Sequence, residues 1–149
     1  MSTGLDFPFQ LLVETAALNM TPTIGPGLTQ DLREVFGGDW LIPDTDLGVY
    51  RYSNFVMSHD GKVSFAVKGH EGGGDVSGFN PHDQWLMGPL RARADAVMVG
   101  ANTLRTEFNH LWTSEFIFPQ SEPLFDALRL QEGRRQTPLQ LMVTRSGKI

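Results

Sequence analysis

The chain contains no cysteine. That excludes disulfides and thiolate-held metals, and it leaves the composition silent about redox compartment. Histidine is scarce as well, with only His59, His70, His82 and His110. No two of them stand four apart on a predicted helix and no His-x-His occurs, so no zinc or iron site is expected. Positive charge is thin: 12 basic residues face 17 acidic ones, for a net charge of −5. Apart from short pairs such as Arg134-Arg135 the cations are scattered. Phosphate backbones need clustered Lys and Arg, so nucleic acid is excluded as the main partner. No window nears the ~20 apolar residues of a membrane span. The amino terminus lacks the basic start and apolar run of a signal peptide. The expectation is a soluble cytoplasmic protein with no membrane partner. What is present is 149 residues with 40% apolar content, which suits one domain with its own core.

Leu11, Leu12, Thr15 and Leu18 share one helical stripe, which predicts a short amphipathic helix. Residues 21–27 are a loop by their Gly and Pro content. A helix is predicted over 28–36, ended by Gly37-Gly38, followed by an irregular stretch at 39–48. Residues 1–47 read as an amino-terminal extension packed on the main fold, the alternative being a lid or a partner-binding arm. The remainder, 48–149, reads as the main domain. Val49–Met57 is predicted as a first strand, apolar on both faces. A short strand at 62–67 and a mobile glycine-rich loop at 69–78 follow. Asn80 caps a helix over 81–92 with Pro81 at its first position. Gly88-Pro89 predicts a kink or break near Met87, since an interior proline costs ~3 kcal/mol. Then come a strand at 94–99, a helix at 101–106, a loop at 115–122 anchored by Phe116 and Phe118, a helix at 123–130 and a strand at 139–144. Strands alternating with helices predict an α/β fold with a largely parallel sheet. Three strands would leave an apolar edge for further polypeptide or a partner chain to cover.

Two strand ends carry polar residues and glycine. The first runs Asn54-Phe55-Val56-Met57-Ser58-His59-Asp60-Gly61-Lys62. The second runs from Asp95 through Gly100-Ala101-Asn102-Thr103-Leu104-Arg105-Thr106-Glu107. Ligands of open α/β sheets bind beyond the carboxyl ends of strands, so the pair predicts a substrate site beside an anion site. Gly100 lets the backbone approach a ligand, and amides opening a helix at Ala101 can meet an anion. Thr103 adds a hydroxyl and Arg105 a permanent charge. The competing reading is a tight strand-to-helix turn with Thr103 as cap.

These segments, with Leu90-Arg91-Ala92-Arg93 and Leu141-Met142-Val143-Thr144-Arg145-Ser146-Gly147, resemble in order and type the reductase domain of riboflavin biosynthesis. That is the RibD carboxyl-terminal family, with a dihydrofolate-reductase-like fold. The resemblance spans roughly 49–149 and covers the first half of such a domain. It implies an NADPH-dependent reductase that passes hydride to a small heterocyclic or ribosylamino substrate, and self-association as a homodimer.

On the cofactor side it implies Gly100, Ala101, Asn102, Thr103 and Arg105 at the diphosphate. It places Thr144, Arg145 and Ser146 at the 2′-phosphate. On the substrate side it implies Asn54, Ser58, Ser77, Arg91 and Glu107. Asp60 is the catalytic candidate, able to help deliver a proton if its pKa is raised. The plainer readings stand beside these: an Asp-Gly turn for Asp60, a solvated turn for 144–146, and a surface ion pair for Arg91 and Glu107.

Three departures weaken the substrate half. Asn54 stands where a lysine is frequent, His59 replaces a leucine, and no arginine stands near Ser114. Trp112, Phe116 and Phe118 point to a pocket less suited to phosphate. The alternative activity is the pathway's own 5-amino-6-(5-phosphoribosylamino)uracil reductase. No deaminase zinc motif is present. The rival from another class is a non-catalytic nucleotide-binding or interaction module.

Overall fold

A computed structural model describes residues 5–12 and 23–148. Among them the chain is mixed α/β, with six α-helices and two small sheets. In order these are β1 (Thr23–Ile24), α1 (Gln30–Phe36), β2 (Ile42–Pro43), α2 (Gly73–Ser77), α3 (Pro81–Ala92), β3 (Ala96–Gly100), α4 (Ala101–Thr106), α5 (Ser114–Ile117), a 3-10 turn (Pro119–Ser121), α6 (Glu122–Gln131) and β4 (Leu139–Val143). β1 and β2 pair antiparallel. β3 and β4 pair parallel, from Ala96 opposite Leu139 to Gly100 opposite Val143.

The core lies among α1, α3 and α6. Leu32, Trp85, Ala92, Phe125 and Leu128 are fully buried there, with Leu28, Val35, Phe118 and Leu124 around them. α3 starts as its sequence dictates: the Asn80 side chain accepts from the His82 amide at 2.9 Å and Pro81 opens the first turn. The expected break near Met87 does not occur, and the helix runs unbroken through Gly88-Pro89 to Ala92. Gly88 has a packing reason. A methyl there would fall 2.1 Å from Phe125 Cζ, so only a bare Cα lets that ring seat against α3.

The carboxyl end of α3 is capped by side chains. Arg129 Nη1 donates to the carbonyls of Ala92 at 2.7 Å and Ala94 at 3.0 Å, and its Nε donates to Arg135 O at 2.7 Å. The Tyr52 hydroxyl donates to Leu90 O at 2.5 Å. These bonds occupy carbonyls that a helix end leaves without partners. Next to them, Arg93 pairs with Glu132 at 2.6 Å, Glu132 with Arg134 at 2.6 Å, and Arg134 with Asp95 at 2.6 Å.

Several expectations are corrected. Val49–Met57 is not a strand. It has no ladder partner among the described residues, and Val49, Phe55 and Met57 are exposed. β-propensity records fitness for a pleated surface, and it does not supply the neighbouring strand. The sheet therefore has two parallel strands, not three. Residues 62–67 likewise form no strand, only an isolated bridge between Val67 and His70. The glycine-rich stretch contains a helical turn, α2, closed by Gly78 in the left-handed region at φ 62°. Residues 115–122 are largely helical rather than loop. Phe118 is buried as expected, while Phe116 stays 43% exposed. The stretch 5–12 is not helical; Phe9 packs on Phe36 and Trp85, and its amide donates to Val35 O at 2.9 Å. Thr15 and Leu18 of the predicted amino-terminal helix lie outside the described residues.

Candidate functional site

Parallel pairing sends β3 and β4 out at the same end of their sheet. Gly100 and Val143 are register partners, so 101–105 and 144–146 emerge side by side there. Gly100 precedes α4 in extended conformation, with open space where a side chain would stand. Ala101 is buried, while Asn102, Thr103 and Arg105 are exposed. β3 passes into α4 directly at Gly100-Ala101, and the N-cap residue is Gly100, which has no side chain to cap with. Arg105 and Arg145 are both exposed, and neither joins an ion pair among the described residues. Thr144 donates to Lys148 O at 3.1 Å, and Ser146 Oγ accepts from the Lys148 amide at 3.3 Å. The 144–148 turn thus uses both hydroxyls for its own closure and leaves Arg145 free to reach outward.

The substrate-side residues fall into two groups. Around Asp60 the bonds are local. Ser58 Oγ donates to Asp60 Oδ1 at 2.5 Å, Lys62 Nζ lies 2.9 Å from Asp60 Oδ2, and the Gly61 amide donates to Ser58 O at 2.9 Å. The Ser58 bond, then the Lys62 contact, hold the Asp60 carboxyl below the usual carboxylate range. Proton delivery by Asp60 required the opposite shift, so this turn presents an ionised acceptor. Asn54 is exposed on the same extended segment.

The second group joins residues far apart in sequence. Arg91, on the last turn of α3, donates through Nη1 to Thr113 O at 3.2 Å and to His110 Nε2 at 3.2 Å. His110 Nε2 must accept, since arginine only donates, so the imidazole proton sits on Nδ1. Nδ1 faces Glu107 Oε2 at 3.5 Å. Arg91 and Glu107 are therefore bridged by a histidine and are not a direct surface pair. Burial, then the Arg91 charge, push His110 down to about 4. Burial likewise lowers Arg91 to about 10, against the opposing pull of Glu107 and Glu115. At neutral pH the cluster is a guanidinium, a neutral imidazole and a carboxylate. Trp112 and Phe116 flank the imidazole, with ring centroids at 5.1 and 4.7 Å.

The glycine run ties the two groups together. A methyl on Gly72 would fall 2.8 Å from Glu107 Oε1, and one on Gly73 would fall 3.3 Å from Val56 Cγ1. The segment bearing Asn54 and Ser58 thus passes the glycines that lie against Glu107. Ser77 donates to Gly74 O at 3.3 Å at the end of α2. His110 was not singled out from sequence; its spacing of three from Glu107 and the neighbouring Trp112 were the available signals.

Among the described residues no group of His, Cys, Asp or Glu could hold a metal ion, and no helix is long and apolar enough to cross a membrane. Comparison of the chain with protein-family models, with curated proteins and with solved structures finds no match in any of the three.

Proposed function

We propose that the chain is an NADPH-dependent reductase of the dihydrofolate-reductase-like kind, acting on a small heterocyclic or ribosylamino compound. The observation that carries this reading is the register of β3 with β4. It brings 100–105 and 144–146, the two stretches that the resemblance implies as cofactor-binding, to one end of a parallel strand pair. Such ends form ligand crevices in open α/β sheets. Arg105 and Arg145, exposed and outside every ion pair among the described residues, suit a diphosphate and a 2′-phosphate, as planar charged donors that are always protonated. The open space at Gly100 fits close approach of a ligand to the backbone.

When bound, NADPH supplies the hydride, and the chain supplies position. Ser58 and Asp60 present an ionised acceptor for a substrate N–H or O–H. Glu107, facing His110 Nδ1 at 3.5 Å, presents a second carboxylate. Arg91 serves chiefly to fix the 110–113 loop. Ser77 and Asn54 complete the substrate side, and the active form is a homodimer.

The test is NADPH binding by nicotinamide fluorescence, beside Arg105→Ala and Arg145→Ala. Each substitution is expected to weaken binding about tenfold, as loss of one charge-assisted contact does. Absence of NADPH binding, or binding indifferent to both arginines, removes the assignment.

A further inference from the structure

A cavity forms between α3 and residues 50–53, adjoining Asn54 and Arg91 in sequence but lined by no residue assigned above. It has a volume of about 280 Å³ and is walled by Leu28 and Phe36, by Trp40, Tyr50, Tyr52 and Ser53, and by Leu86, Pro89 and Leu90 of α3. Four aromatic residues, Phe36, Trp40, Tyr50 and Tyr52, line it. Trp40 and Tyr52 meet edge to face with centroids 5.1 Å apart at 83°, and Tyr50 lies 5.8 Å from Tyr52. Leu28 and Pro89 are buried in its floor, while Tyr50 and Tyr52 remain about one-third exposed at its mouth. The walls are flat, apolar and partly solvated.

Charge decides what such a pocket accepts. None of the lining residues is ionic. One guanidinium beside it, Arg93, sits over the Trp40 ring at 4.9 Å, bonds Trp40 O, and is paired with Glu132 at 2.6 Å. Arg93 already covers one face of the Trp40 indole, and no lining residue offers an anion a charge. An ion entering would lose hydration without compensation. One polar atom is poised differently. The Tyr52 hydroxyl gives its proton to Leu90 O at 2.5 Å, so its oxygen can only accept from a ligand. Burial pushes the Tyr52 phenol up to about 12, so that proton stays in place at any working pH.

We infer that this pocket is a binding site for a neutral, planar aromatic molecule of one or two rings carrying an N–H or O–H donor. The volume agrees. Benzene occupies engineered cavities of ~150 Å³, and small-molecule pockets begin at about 300 Å³. The site is independent of the nucleotide assignment and stands or falls separately from it.

The experiment uses the full chain and indole as probe, followed by ligand-observed NMR. Indole is expected to saturate with a Kd of about 0.1–1 mM, in keeping with the efficiency of very small ligands. 1-Methylindole, which lacks the donor, should bind several-fold weaker, and so should indole-3-acetate and tryptamine, which are charged. Intermolecular NOEs from indole should reach Tyr50, Leu86 and Leu90 in the wild-type chain. Ser53→Trp, which fills the mouth, should abolish binding. No saturation, equal binding of the charged relatives, or NOEs to other residues each overturns the proposal. The NOE map decides the matter even where Ser53→Trp fails to fold.

Discussion

Acidification should strike this protein first at His110. Its imidazole is wedged between Arg91 at 3.2 Å and Glu107, and burial with the Arg91 charge lowers it from 6.5 to about 4. The unfolded chain therefore binds a proton between pH 6.5 and 4 that the folded chain refuses, so stability falls as pH falls through that window. With these two values, moving from pH 7.5 to 4.5 costs about 2.5 kcal/mol from this residue alone. The side chain is 19% exposed, so solvent screening removes only part of that. The assay is urea denaturation at both pH values for the wild type and for His110→Gln, which keeps a polar side chain but does not titrate. Carboxylates away from His110 contribute equally to both proteins and cancel in the difference. The wild type should lose about 2 kcal/mol more than the variant. Equal losses, or an imidazole NMR titration centred near 6.5, would refute the Arg91–His110–Glu107 arrangement.

Gly88→Ala should destabilise the chain by about 3 kcal/mol, because the new methyl collides with the fully buried Phe125 ring; a loss under 1 kcal/mol in urea denaturation would show that α3 and α6 pack otherwise. Arg129→Met keeps the volume but strips the end of α3 of its donors, and about 3 kcal/mol should be lost; an unchanged midpoint would count against the cap. Asn80→Ala should cost about 1 kcal/mol through the lost His82 amide bond, with no change in denaturant slope. Above pH 10 the unfolded chain ionises Tyr52 before the folded chain does, so stability present below pH 10 is lost up to about 12. Tyr52→Phe should flatten that alkaline limb, and an identical limb would remove the desolvated hydroxyl.

Local signals were legible. Asn80-Pro81 marked the start of α3, and Gly37, at φ 73°, ended α1. α4 occupies the residues its sequence predicts. These features depend on residues within a turn of one another. What was missed depends on partners far away. Val49–Met57 has every property of a strand except a neighbour. Gly88-Pro89 looks like a helix breaker until Phe125, from another helix, is seen to need the gap. The candidate site divides the same way. The stretches 100–105 and 144–146 were singled out through the family resemblance, and only register placed them together. The Arg91–His110–Glu107 cluster needed α3 and the loop after α4 to meet, which no spacing rule foretells.

The parallel ladder carries a consequence for the order of assembly. β3 and β4 are joined only through residues 101–138, so their pairing must wait for that crossover to close. The helices around Trp85 and Phe125 can collapse first, and they bring Arg134 to Asp95 at 2.6 Å. The Leu139 amide then reaches Asp95 O at 2.9 Å, and the ladder zips from there toward Gly100 and Val143. The zip finishes where 101–105 and 144–146 emerge. That end lies farthest along the ladder from its anchor, and it should fray first in hydrogen exchange. A ligand holding both stretches would act as a clasp, slowing exchange at Gly100 and Val143 while leaving the amides of α3 untouched.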